Sequence, residues 1–116
     1  MDYGNGQYQE GAAAALKGVC VTPFVPANAR HSFNYYTIRF DSKAKRDNAQ
    51  KYLTEQGIAN QIYYPIPLHL QEAYKHLGYK RGDLPVCDAV QDTVFSLPMY
   101  PELSDAQIAA VTDAVK

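Results

Sequence analysis

The sequence predicts an α+β fold: a small two-layer domain whose three- to four-stranded, mostly antiparallel sheet is packed by helices on one side. Three observations carry this reading. Short runs rich in aromatic and β-branched residues are interleaved with segments of helical period. The clearest run, "FNYYTIRF" from Phe33 to Phe40, puts Tyr36, Ile38 and Phe40 on one face and Tyr35, Thr37 and Arg39 on the other. The stretch "SDAQ" ahead of "IAAVTDAV" is a capping box that opens an amphipathic helix. A chain of 116 residues fits one such domain and can bury a core of its own.

Met1 to Gly18 opens polar and Gly-rich, then becomes a run of strong helix formers closed by Gly18. It reads as the end of a helix from a preceding region, with its packing partner outside the chain, and residues 19–116 as the domain proper. "VCVTPF", Val19 to Phe24, is β-branched and broken by Pro23, the pattern of a strand near an edge. After the Phe33 strand, Asp41 or Ser42 caps a helix over "KAKRDNAQKYLTEQ", with Ala49, Tyr52 and Leu53 on its inner side and Gly57 as its stop. Lys43, Lys45 and Arg46 crowd the first turn against the macrodipole. A solvated face or a subunit contact explains that cluster better than a phosphate site.

"IANQIYY", Ile58 to Tyr64, is the next predicted strand, with Ile58, Ile62 and Tyr64 on one parity and Ala59, Gln61 and Tyr63 on the other. It runs into "PIPLHL", where two prolines stiffen a loop beside tyrosines and a histidine, as a recognition loop requires. A short helix over "QEAYKHL" ends at Gly78, and "YKRGD" is a turn. Pro85 starts a helix over "VCDAVQDTV" with an apolar stripe of Val86, Ala89 and Val90. "FSLPMYPEL" is extended, after which Ser104 caps the last helix and Gln107 reaches back to it. Leu103 and Ile108 staple that start, and Ile108, Val111 and Val115 face the sheet.

A net charge of -1 and a pI near 6.3 give no electrostatic footprint for nucleic acid or an anionic membrane. The longest aliphatic run, Ala12 to Leu16, is too short to span a bilayer, so a soluble cytoplasmic setting is expected. Cys20 and Cys87 show no ligand or redox spacing and read as reduced, semi-buried thiols. There is no Gly-rich phosphate loop, and His31, His69 and His76 follow no metal-ligand motif, so no metal site is predicted. His76 is expected on a helix surface. Asp83, Asp88, Asp92 and Glu102 are explained by capping and solvation near helix ends. What stands out is tyrosine: ten in a chain with no Trp, each a flat apolar body with a polar tip suited to sugars, nucleobases or a partner surface.

The segment "IYYPIPLHLQEAYKHLGYKRGDLPVCDAVQDTVFSLPMYPELSDAQI" closely resembles the C-terminal region of the DegT/DnrJ/EryC1/StrS aminotransferases. In that family a YPxPLHxQ stretch is followed by a GY turn, a proline-started helix and SLPxxPxLxxxQI, and "HSFNYYTIRF" resembles its preceding strand. The resemblance implies an enzyme that uses pyridoxal phosphate, as a homodimer, to aminate a nucleotide-linked keto-sugar, with glutamate as donor. The family carries its cofactor lysine in a serine-rich segment of a large N-terminal domain. None of Lys17, Lys43, Lys45, Lys51, Lys75, Lys80 or Lys116 lies in such a context. The chain is therefore expected to be the small C-terminal domain alone, with no catalytic, cofactor-binding or metal-binding residue and no activity without the missing domain.

The resemblance also implies substrate-binding residues. Tyr64 keeps the family's YP pattern and is the favoured contact, while Tyr63 stands where relatives frequently have His. Asn34 occupies a His or Asn position and shares strand parity with Tyr36. His69 matches the histidine of PLH, and bracing the short helix competes with substrate contact as its role. Arg30 and His31 form a loop that could meet an anion. A reading from another class stays open: a free-standing small-molecule-binding or protein-interaction module built on the same α+β frame.

Overall fold

Among the described residues two strands form the sheet. β1, Tyr36–Arg39, and β2, Val94–Leu97, pair antiparallel with Tyr36 opposite Leu97 and Arg39 opposite Val94 in the computed structural model, which describes residues 11–116. The expected alternation holds on β1: Tyr36 and Ile38 are fully buried, Phe40 beyond the strand is buried, and Tyr35 and Arg39 are exposed. β2, the expected extended "FSL" with Val94 added, is buried along its whole length. It follows directly on the helix before it, so Val94 belongs to the strand and not to that helix.

The two other expected strands, Val19 to Phe24 and Ile58 to Tyr64, reduce to single antiparallel bridges: Val21 with Arg39 outside β1, and Gln61 with Ser96 outside β2. The neighbouring backbone is committed elsewhere. The Val19 and Cys20 amides donate to the Leu16 carbonyl, and Pro23 has no amide to donate. On the other side, the Ile58 amide closes on Leu53 O, and the Asn60 side chain hooks back to Thr54 and the Ile58 carbonyl. One residue of each run is left to pair, so the sheet is two-stranded with a rudimentary margin on either edge.

α1 spans Lys43–Glu55, α2 Pro85–Thr93 and α3 Asp105–Val115. Ser42, not Asp41, caps α1, its Oγ accepting from the Lys45 amide, and Gly57 follows at φ 73°. Both halves of the predicted capping box are present on α3: the Ser104 Oγ accepts from the Gln107 amide, and the Gln107 side chain accepts from the Ser104 amide. "QEAYKHL" is 3₁₀ and not α: one turn covers Leu68–Leu70 and another Glu72–Leu77, ended by Gly78 at φ 79°. His76 is exposed on it, as expected.

The core lies between one face of the sheet and the helices, where Tyr36, Ile38, Phe95 and Leu97 meet Leu53 of α1 and Ile108, Val111 and Val115 of α3. Residues 11–15 are helical, and Ala12 and Leu16 are fully buried in this same core, so this segment finds its packing partner within the chain. The predicted opening from Met1 to Glu10 lies outside the described residues.

Three expectations about side chains fail for physical reasons. The basic cluster splits: Lys43 and Lys45 are exposed and paired with Asp47 and Asp41, whereas Arg46 is 2% exposed and donates from Nη1 to the Gln91 and Val94 carbonyls at 3.0 Å each. Neither a solvated nor a subunit face describes Arg46. Of the expected stripe on α2, Val86 at 76% and Ala89 are exposed and Val90 is half-buried, because the fully buried residue of that helix is Asp88, whose carboxylate has partners inside. Cys87 shares that outward face and is exposed rather than semi-buried; Cys20 is half-buried.

Candidate functional site

The register of the sheet decides where the site forms. Tyr36, Ile38, Phe95 and Leu97 turn toward the core, so Thr37 and Ser96 take the opposite face, their hydroxyls 2.8 Å apart. Gln61 bridges to Ser96 and brings its own parity, Ala59, Gln61 and Tyr63, to that face. Tyr35 has the parity of Thr37 and lies there too. The result is a cavity of ≈ 380 Å³ on the sheet face away from the core, with Tyr35 and Tyr63 as aromatic walls and Asn34, Asn60, Gln61 and Ser96 as its polar groups.

The two rings are 4.4 Å apart between centroids and inclined by 32°, and each is close to half exposed, so they flank the opening rather than seal it. Among the described residues the lining contains no carboxylate, lysine, arginine or histidine. A cavity of this kind carries no cation to neutralise a phosphate. It can stack an apolar sugar or ring face and hydrogen-bond uncharged hydroxyl or carbonyl groups, and its size is at the small end of ligand pockets.

Of the residues expected from sequence, Asn34 and Tyr63 line this cavity. Asn34 does so by leaving the face of Tyr36, because the chain bends before β1 starts. Phe33 sits at φ 44°, its amide donating to His31 Nδ1 at 2.8 Å while its ring stacks on the imidazole and reaches the core. Parity counted backwards through that bend does not apply, and His31 is used in making it. Tyr64 lies outside the lining, 59% exposed, its ring edge-on to Tyr63 at 5.9 Å; the Tyr63–Tyr64 peptide is cis.

His69 is buried below the loop, its Nε2 3.3 Å from Asp88 Oδ1 and its ring edge-on to Tyr79. Tyr35, Asn60, Gln61 and Ser96 were not singled out from sequence. Gln61 was findable, since it shares the parity of Tyr63, whereas Ser96 needs the pairing of β2.

Away from the cavity, burial pushes the Tyr36 phenol up and the Cys20 thiol up to about 11. The Lys43 ammonium donating to Asp47 holds that carboxyl below the ordinary aspartate range. All seven lysines are exposed and none lines the cavity. Among the described residues no three His, Cys, Asp or Glu side chains gather to hold a metal ion, and no helix is long and apolar enough to cross a membrane.

The profile of the DegT/DnrJ/EryC1/StrS aminotransferase family matches residues 6–116. The chain is 44% identical over 101 residues to a "pleiotropic regulatory protein" of Geobacillus stearothermophilus, covering 87% of this chain and 26% of that protein. It is 37% identical over 94 residues to the UDP-N-acetyl-3-dehydro-alpha-D-glucosamine 3-aminotransferase of Acidithiobacillus ferrooxidans, covering 81% of this chain and 24% of that enzyme. The crystal structure of an aminotransferase of the same family from Brucella abortus superposes with a TM-score of 0.84 at 35% identity, over 97% of this chain and 29% of that one. The chain thus spans about a quarter of the length of the curated relatives it matches.

Proposed function

This chain belongs to the DegT/DnrJ/EryC1/StrS aminotransferase family, and from that premise we propose that residues 19–116 are the small C-terminal domain of an enzyme that transfers an amino group to a keto-sugar nucleotide. In this reading residues 1–18 belong to the region that precedes that domain. Pyridoxal phosphate supplies the amino-transfer chemistry in the full-length enzyme, with glutamate as donor. It belongs to the larger part of the protein, because the residues present here do not fit it: every lysine is exposed and the cavity carries no ionised group. The chain alone binds no cofactor and is inactive. The full-length enzyme works in the cytoplasm as a homodimer whose subunits share the site.

The observation that supports the reading is the uncharged cavity walled by Tyr35 and Tyr63. A sugar presents an apolar C–H face and a ring of hydroxyls, which aromatic walls and the Asn34 and Gln61 amides match. The nucleotide phosphates find no cation there and are bound elsewhere. Tyr64, outside the lining, contacts the same sugar from the loop edge once the rest of the enzyme closes over it. His69 acts from beneath the loop as a brace.

The test is steady-state kinetics of the full-length enzyme with keto-sugar nucleotides. Tyr63→Ala raises the KM for the sugar nucleotide about tenfold, the effect of about 1.4 kcal/mol of lost stacking, and leaves the KM for the amino donor unchanged. Equal kinetics of wild type and variant would take the cavity out of the substrate site. Absence of turnover across UDP- and dTDP-linked 3- and 4-keto hexoses would remove the sugar reading itself.

A further inference from the structure

The segment that carries the tyrosines is held by polar ties as well as by the burial of Pro67. Ile66 and Leu68 are more than half exposed, and neither belongs to the core. Two ties reach across from one face of α2. Gln91 Nε2 donates to the Pro65 carbonyl at 2.5 Å, and Asp88, one turn earlier, places Oδ1 3.3 Å from His69 Nε2. The other Asp88 oxygen accepts the Gly82 amide at 2.6 Å, which anchors the carboxylate to the turn before the helix. Gln71 adds a local bond to the Ile66 carbonyl at 3.0 Å.

His69 and Asp88 are 8% and 6% exposed. At 3.3 Å they are within ion-pair range, and among the described residues neither Nε2 nor Oδ1 has a hydrogen-bond partner. Moving the buried imidazole away from the carboxylate would leave that charge with less compensation, which is costly. α2 is itself fixed where it meets β2, because the Arg46 guanidinium takes the Gln91 and Val94 carbonyls. The tie therefore runs from a rigid part of the fold to a loop that buries Pro67 but leaves Ile66 and Leu68 exposed.

We infer that Asp88 and Gln91 are positioning residues for the tyrosine wall: from adjacent turns of α2 they fix His69 and the Pro65 carbonyl, and through them the direction in which Tyr63 and Tyr64 are presented. This rests on the reading of that wall as the sugar contact. Neither residue touches the cavity, and their effect on substrate passes through the backbone of residues 65–69.

The test uses the full-length enzyme with Gln91→Glu and Asp88→Asn. Gln91→Glu keeps the size of the side chain but turns an acceptor toward the Pro65 carbonyl. Asp88→Asn keeps an oxygen for the Gly82 amide and loses the charge beside His69. Both raise the KM for the sugar nucleotide about tenfold with the amino-donor KM unchanged, and Gln91→Met, similar in volume and unable to donate, behaves like Gln91→Glu.

Amide hydrogen exchange followed by mass spectrometry is the second readout. Peptides covering residues 66–71 exchange about tenfold faster in the variants while peptides of β1 and β2 do not change. Unchanged exchange at 66–71, or an equal rise across the strands, overturns the inference in favour of no role or a general stabilising one. Faster exchange confined to the loop in an enzyme that turns over no sugar nucleotide supports the tie and refutes the sugar reading.

Discussion

Replacing Arg46 by methionine isolates the buried cation that joins α1 to the junction of α2 and β2. Its side chain is 2% exposed, and Nη1 lies 3.0 Å from both the Gln91 and Val94 carbonyls. The Val94 carbonyl is on the outer edge of β2, on the side from which Ser96 bridges to Gln61, so without the guanidinium no strand takes it. A hydrogen bond from a charged donor contributes about 1.5–3 kcal/mol, and a buried carbonyl left without a partner costs about 1–3 kcal/mol.

The Gln91 carbonyl is only partly buried, and water replaces much of what it loses. Methionine also fills the aliphatic path and removes the cost of burying a charge. The net loss is about 3 kcal/mol, against the about 5–15 kcal/mol that holds a domain together. Urea unfolding of the chain followed by far-ultraviolet circular dichroism reads this as a lower midpoint, and a thermal scan as a drop of about 10–15 °C. Lys43→Met is the control, since its pair with Asp47 is half-exposed and contributes less than about 1 kcal/mol. A midpoint for Arg46→Met equal to that of the control would refute the role assigned to the buried guanidinium.

Three further outcomes follow from the same structure. Burial pushes the Cys20 thiol up to about 11, so at pH 8 its thiolate is about a hundredfold scarcer than that of an exposed cysteine; mass spectrometry after brief iodoacetamide treatment should find Cys87 alkylated and Cys20 not, and equal labelling would contradict the burial of Cys20. The Asp47 carboxyl is held below the ordinary aspartate range chiefly by Lys43, so its small stabilisation is present above that range and is lost as the pH falls through the lowered value. The difference in urea midpoint between wild type and Asp47→Asn should therefore exist at pH 6 and shrink in strong acid; a constant difference would show that it is not electrostatic. Ser104→Ala removes one half of the α3 capping box and should cost about 1 kcal/mol, read as a lower urea midpoint, whereas Ser42→Thr, which keeps an oxygen on the α1 cap, should cost less.

How much of this was legible in the sequence depends on whether a residue's role is local. The Ser104 box, the Gly57 and Gly78 helix ends and the Tyr36, Ile38, Phe40 alternation are set by neighbours a few positions away, and all are found where the sequence places them. The outer strands were over-read because strand propensity does not show that the neighbouring amides are already spent on Leu16 and Leu53. The resemblance points to the family and to Tyr64, Tyr63, Asn34 and His69, of which only Tyr63 and Asn34 line the cavity, but not to Ser96, which reaches the cavity only through pairing with residues far away in the chain.

Arg46 and Asp88 show the same limit from the polar side. Arg46 was grouped with Lys43 and Lys45 by charge, yet its spacing from Ala49 and Leu53 is that of the buried stripe of α1, which hydropathy discards because the residue is ionised. By sequence Asp88 reads as a capping or solvated carboxylate, and Val86 and Ala89 as part of the apolar stripe of α2. The helix is turned the other way because its inner contacts are an Arg-capped C-terminus and a carboxylate that meets His69 and Gly82. Polar residues that hold a loop in place have no periodic signature, since each answers a single distant partner. That is why the prolines and tyrosines of "YYPIPLH" were conspicuous in the sequence while the residues that hold them were not.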